Sequence, residues 1–79
     1  MRKRLFIVCD KENGMVWYFH NMNNAIKCFY ELSKEKNIME MNGITANELI
    51  AKYENFDFLS YNFSITNEKV SVFQQIFSD

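Results

Sequence analysis

The first apolar positions of the chain come in two short runs joined by a turn signal. Leu5-Phe6-Ile7-Val8-Cys9 is β-branched and aromatic, apolar at consecutive positions, and predicts a strand. Asn13-Gly14 follows, a pair that tolerates the positive φ of a tight hairpin turn. Met15 to His20 then predicts the return strand. A two-residue loop would pair Glu12 with Met15 and set Cys9 opposite Tyr18, Val8 opposite Phe19 and Ile7 opposite His20. One face then carries Leu5, Ile7, Cys9, Val16, Tyr18 and His20; the other carries Phe6, Val8, Met15, Trp17 and Phe19. Neither face is polar, so the hairpin requires cover on both sides.

The period then lengthens. Met22, Ala25, Ile26, Phe29, Leu32 and Ser33 share one face at helical spacing, with Lys27, Glu31, Lys34 and Glu35 opposite. The Asn residues at 21–24 offer a cap, and Asn37 a terminator. Thr45-Ala46-Asn47-Glu48 forms a capping box for a second helix running to about Glu54, with Ile44 and Leu49 as its staple. From Leu59 the period becomes two: Leu59, Tyr61, Phe63 and Ile65 alternate with Ser60, Asn62 and Ser64, predicting a strand with one wet face. Residues 66–69 break it. In the tail, Val70, Phe73 and Phe77 fit a helix capped by Thr66, while Val70 and Val72 fit a strand; the helix is the favoured reading. The expected order is β-β-α-α-β-(α). The expected fold is α+β: a three-stranded antiparallel sheet, made of the N-terminal hairpin plus a C-terminal strand, with two or three helices on one face.

Seventy-nine residues make a single domain, 1–79, and such a chain buries only about 60–65% of its unfolded surface. Eight Phe, four Tyr and one Trp are many rings for that size, so either the core is largely aromatic or a partner covers part of it. The net charge of −1 supplies no global attraction to nucleic acid or anionic lipid. Basic residues gather at Arg2, Lys3, Arg4 and Lys11, and acidic ones at Glu31, Glu35, Glu40, Glu48, Glu54 and Asp57. Two cysteines, Cys9 and Cys28, are too few for a disulfide framework and suit a reducing cytoplasm. The basic start resembles the first part of a signal peptide, but the apolar run 5–9 is too short and Asp10 ends it. No stretch approaches the roughly 20 apolar residues of a membrane span. Abundant Asn, Lys, Ile and Phe with no Pro suggest an AT-rich coding sequence, as in low-GC bacteria, their phages and their mobile elements.

Candidate chemistry is sparse. Cys9 and His20 fall diagonally on one hairpin face, where a thiolate–imidazole pair could act as a nucleophile, yet no glycine-rich oxyanion loop accompanies them. Cys9, Cys28 and His20 would need a fourth ligand such as Asp10 or Asp57 to hold zinc, and their spacings fit no zinc motif. The carboxylate pairs Asp10/Glu12 and Glu54/Asp57 read as solvent positions. No phosphate loop or calcium loop is present. Neither catalytic residues, a cofactor nor a metal is therefore expected.

The function expected is a non-enzymatic protein–protein interaction module, with Phe6, Met15, Trp17 and Phe19 as its partner-binding face. A bacterial cytoplasmic setting suits a phage or mobile-element protein that binds and inhibits a host factor of defence or replication. Homodimerisation is an expected alternative cover for the hairpin. The competing reading is a small regulatory nucleic-acid binder, with Arg2, Lys3 and Arg4 holding phosphates beside the hairpin aromatics.

Overall fold

In the computed structural model, which describes residues 2–53 and 64–78, the chain is a small α+β domain. Strand β1 (Arg2–Asp10) leads into β2 (Met15–Phe19), then helix α1 (Met22–Glu35), a short 3-10 turn (Met39–Met41) and helix α2 (Ala46–Tyr53). Strands β3 (Ser64–Thr66) and β4 (Val70–Ser78) close the described fold. The four strands form one antiparallel sheet in the order β2-β1-β4-β3.

The hairpin forms where expected, but its loop has four residues rather than two. Asp10 pairs with Met15, so Cys9 faces Val16 instead of Tyr18, Ile7 faces Tyr18, and Phe6 faces Phe19. Asp10 causes this. Its carboxylate accepts the backbone N–H groups of Glu12 at 3.0 Å and Asn13 at 3.3 Å, and the Asn13 side-chain amide at 2.9 Å. An Asp at the head of a turn satisfies donors that a shorter loop would leave open. Gly14 takes the left-handed conformation at φ 67° and closes the loop by donating its N–H to the Asp10 carbonyl at 2.9 Å. The register has moved by two residues, and a two-residue slip returns every side chain to its original face. Within the paired strands both faces therefore hold the residues the alternation assigned to them, while His20 lies past the end of β2 beside Arg4, Phe6 and the start of α1.

Helix α1 begins at its expected cap. The Asn21 side-chain oxygen accepts the N–H groups of Asn23 at 2.8 Å and Asn24 at 3.3 Å. It ends at Asn37, which adopts φ 58°. There the Ile38 N–H donates to the Ser33 carbonyl at 3.0 Å and the Asn37 N–H to Lys34 at 3.1 Å, the paired bonds of a Schellman stop, with Ile38 buried beneath it. In α2 the Thr45 hydroxyl accepts the Glu48 N–H at 3.1 Å, the forward half of the capping box. The Tyr30 hydroxyl donates to the Ile44 carbonyl at 2.8 Å and ties the approach to α2 onto α1.

The C-terminal segment departs from expectation. Residues 70–77 belong to a strand, not a helix, and β4 takes the central place beside β1 that the third strand was expected to fill. β3 pairs with β4 instead of the hairpin. The strand expected over 59–65 is seen in its last part, from Ser64; residues 59–63 lie outside the described residues. Tertiary demand decided the ambiguous tail. Val70 and Val72 alternate with Ser71, and both bury completely beneath α1, a result that helical spacing cannot give them. Asn67 builds the turn between these strands. Its side-chain oxygen accepts the N–H groups of Lys69 at 2.9 Å and Val70 at 2.8 Å, and its amide donates to the buried Ser33 hydroxyl at 2.9 Å.

Both helices lie on one side of the sheet. Phe6, Val8, Val70, Val72 and Ile65 from the strands meet Ala25, Ile26 and Phe29 of α1, with Ile38, Met41 and Leu49 completing the core. Among the described residues, no helix is long and apolar enough to cross a membrane.

Candidate interaction surface

Register and pleat together define the side of the sheet that the helices do not touch. Residues directly opposite one another share a face, and successive residues alternate. Ile7 pairs with Tyr18 on one flank and Phe73 on the other; Cys9 pairs with Val16 and Ser71; Leu5 pairs with Gln75. Thr66 extends the second row across β3. Tyr18 is 64% exposed, Val16 44% and Phe73 39%. Between them Ile7 is buried, and Leu5 and Cys9 are half-buried. The result is an apolar band from Val16 and Tyr18 across Ile7 to Phe73, bordered by Ser71, Thr66 and Gln75. No Asp or Glu occupies a described strand position on this face.

The residues singled out from sequence lie on the opposite side. Phe6 is buried in the core, and Trp17 and Phe19 are half-buried and packed against it. Met15 alone of the four is exposed, at the end of β2 beside the turn. Alternation correctly divided the hairpin into two apolar faces but gave no means of choosing which one the helices take. Arg2 and Lys3 sit in β1 opposite Ser78 and Phe77, and Arg4 is half-buried opposite Ile76. The rings expected to accompany these bases as a stacking platform face α1 instead. Cys9 and His20 do not form the expected diagonal pair. Cys9 faces Val16, and His20 lies four residues further on, past the end of β2. Among the described residues, no three His, Cys, Asp or Glu side chains gather to hold a metal ion.

Asp10 and Glu12 are not the plain solvent pair that spacing suggested. Asp10 is 3% exposed, and the Lys36 ammonium lies 3.1 Å from its carboxylate and 2.9 Å from that of Glu12. Burial pushes the Asp10 carboxyl up, but bonds from Asn13 and Lys36 and from the backbone of the turn outweigh it and hold the group below its ordinary value. Lys36 is raised, first by its bond to Glu12, against its own desolvation, and further by Asp10. Lys11 reaches across to the Thr66 hydroxyl at 2.9 Å and the Asn67 carbonyl at 2.7 Å. Lys69 donates to the Lys36 carbonyl at 3.3 Å. These bonds lace both hairpin turns to the end of α1. Their polar groups hold one another and fasten the turns to the helix. Burial, then the nearby Glu31, pushes the Cys28 thiol up and keeps it protonated at neutral pH.

At the other end of α1 an open cleft of about 330 Å³ is lined by Arg4, Phe6, His20, Asn21, Met22 and Asn23. The helix N–H groups that could hold an anion there are partly taken, because Asn21 already accepts from Asn23 and Asn24. Among the described residues, the sheet face away from the helices thus holds the largest group of exposed apolar side chains. Compared with known proteins, the chain matches no family model, no curated protein and no solved structure.

Proposed function

We propose that this chain is a non-enzymatic protein–protein interaction module that docks its partner on the helix-free face of the sheet. The observation that carries this reading is the row Tyr18–Ile7–Phe73, in which two exposed rings flank a central Ile on adjacent paired strands. Rigid strands hold these side chains, so little conformational entropy is lost when they are covered. Tyr is enriched at the centres of interfaces because its ring buries area while its hydroxyl keeps a polar partner. The polar rim of Ser71, Thr66 and Gln75 suits the border of such a patch. Within this reading, the narrower form is a phage or mobile-element protein that occupies a host defence or replication factor. That form rests on the composition rich in Asn, Lys, Ile and Phe.

The test is affinity capture from a low-GC bacterial lysate treated with nuclease, comparing the wild type with a Tyr18→Ala/Phe73→Ala double variant. The expected outcome is a stoichiometric protein retained by the wild type and lost with the variant, while the far-ultraviolet circular dichroism of the two remains the same. Retention that disappears with nuclease alone would replace this reading with the nucleic-acid one. Equal retention by both proteins would move the docking surface elsewhere.

A further inference from the structure

We infer that Asn42 is a site of spontaneous deamidation, with the backbone nitrogen of Gly43 as its nucleophile, while the other Asn-Gly pair of the chain, Asn13-Gly14, is held against the same reaction by Asp10. The chain contains two such pairs. The chemistry needs water and nothing else. The Gly nitrogen, losing its proton, attacks the side-chain amide carbon of the Asn before it. The bond from that carbon to the side-chain nitrogen breaks, ammonia leaves and a succinimide ring closes. Water then opens the ring at either carbonyl, giving aspartate or isoaspartate. One water is taken up and one ammonia released, with no change of oxidation state. Glycine obstructs the attack least, because no Cβ stands beside its nitrogen.

Access does not separate the two pairs. Asn13 and Asn42 are both exposed, and both glycines stand in open space. Hydrogen bonding separates them. The Gly14 N–H, which carries the nucleophile of the first pair, donates to the Asp10 carbonyl at 2.9 Å. The Asn13 side-chain amide, the group to be attacked, donates to the Asp10 carboxylate at 2.9 Å. Both reacting groups are therefore fastened to one residue, itself buried and paired with Lys36. Both bonds must break before the ring can close. At the typical net strength of a hydrogen bond, two of them hold the reaction back by about tenfold or more.

Asn42-Gly43 is tied far less. Among the described residues no acceptor takes the Gly43 N–H. The Asn42 side-chain amide lies 3.6 Å from the Met39 sulfur, a weak acceptor. Asn42 stands at φ −67° and ψ 131°, so the Gly43 peptide must rotate toward the side chain before the attack. The bond that spans this rotation, from the Ile44 N–H to the Met41 carbonyl, is long at 3.3 Å. The product places a new carboxylate close after Glu40 in the chain. As isoaspartate it also inserts a backbone carbon just ahead of Ile44 and Thr45, which Tyr30 and the cap of α2 hold in place.

The purified full chain, incubated at physiological temperature and neutral pH and followed by mass spectrometry of its proteolytic fragments, tests this without any substitution. The expected result is conversion of amide to acid at Asn42 at least tenfold faster than at Asn13. In guanidinium chloride, where Asp10 no longer holds the turn, the two rates should come within a few fold of each other. Equal rates in the folded chain, or faster conversion at Asn13, would overturn the inference. So would an Asn42 that stays intact in the folded chain for as long as the denatured chain takes to convert. A gap that persists in denaturant would show that neighbouring sequence sets it and would overturn the role of Asp10.

Discussion

Phe6→Ala is expected to remove about 3–5 kcal/mol of stability, while Tyr18→Ala on the neighbouring strand removes less than about 1 kcal/mol. Phe6 points into the layer between sheet and helices and is almost completely buried, alongside Val8 and near Ala25, Ile26 and Phe29. Truncating it loses the transfer energy of a ring and leaves a cavity that neighbours fill only in part. A 79-residue domain has a total stability of roughly 4–12 kcal/mol, so this single change takes a large share of it. Tyr18 is one residue from the partner of Phe6 in the ladder, yet it points to the open side and keeps 64% of its surface in water. Little of its burial is present to lose. Urea titration of the two variants reads the contrast directly. Equal losses, or a larger loss at Tyr18, would mean that the helices cover the other face.

The second large effect concerns Asp10. Asp10→Asn keeps an acceptor oxygen for the turn but removes the charge that pairs with Lys36, so the variant should be less stable at neutral pH. The difference should also depend on pH. Asp10 titrates below its ordinary value of 3.8 in the folded chain. Its ionised form therefore stabilises the fold fully above that value, and the contribution fades as pH falls below 3.8 toward the folded pKa. Lys36 is shifted the other way, above 10.5, so its contribution is complete below 10.5 and fades only as pH rises past that value. Between about pH 5 and 9 the gap between wild type and variant should be constant, and it should narrow steadily on acidification. Chemical denaturation at a series of pH values measures it. A gap unchanged between neutral pH and pH 2 would show that the Asp10–Lys36 pair contributes nothing through charge.

Much of the local structure could be read from residues alone because local physics decides it. Asn21 caps α1, Asn37 stops it and Thr45 opens α2 through side-chain and backbone bonds that span only a few positions. The division of the hairpin into two faces also survived, since a register error of two residues preserves the alternation. What escaped depends on distant partners. Asp10 read as a solvent carboxylate because its burial comes from Lys36, 26 positions away in the chain. The tail read as a helix because Val70, Phe73 and Phe77 recur at helical spacing. Pairing with all nine residues of β1 made it a strand, which burial of Val70 and Val72 under α1 reinforces.

The same limit explains why the four residues singled out lie on the core side of the sheet rather than on its more exposed side. Phe6, Trp17 and Phe19 are larger and more aromatic than Leu5, Ile7 and Val16. Size also suits them to fill the space beneath α1, where three of the four candidate residues now pack. Phe73 entered no candidate surface from sequence, because it joins the open face only once β4 is a strand paired to β1. A sheet whose two sides are both apolar cannot declare its exposed side before the helices have docked.

Photo-crosslinking from position 18 addresses the central claim that the helix-free face is the docking surface. A benzoyl-phenylalanine placed at Tyr18 should yield a discrete crosslinked species on irradiation, whether with a second copy or with a lysate protein. The same group at Glu31, exposed on α1, should yield none. Crosslinks from Glu31 with none from Tyr18 would place the contact on the helical side and contradict the account.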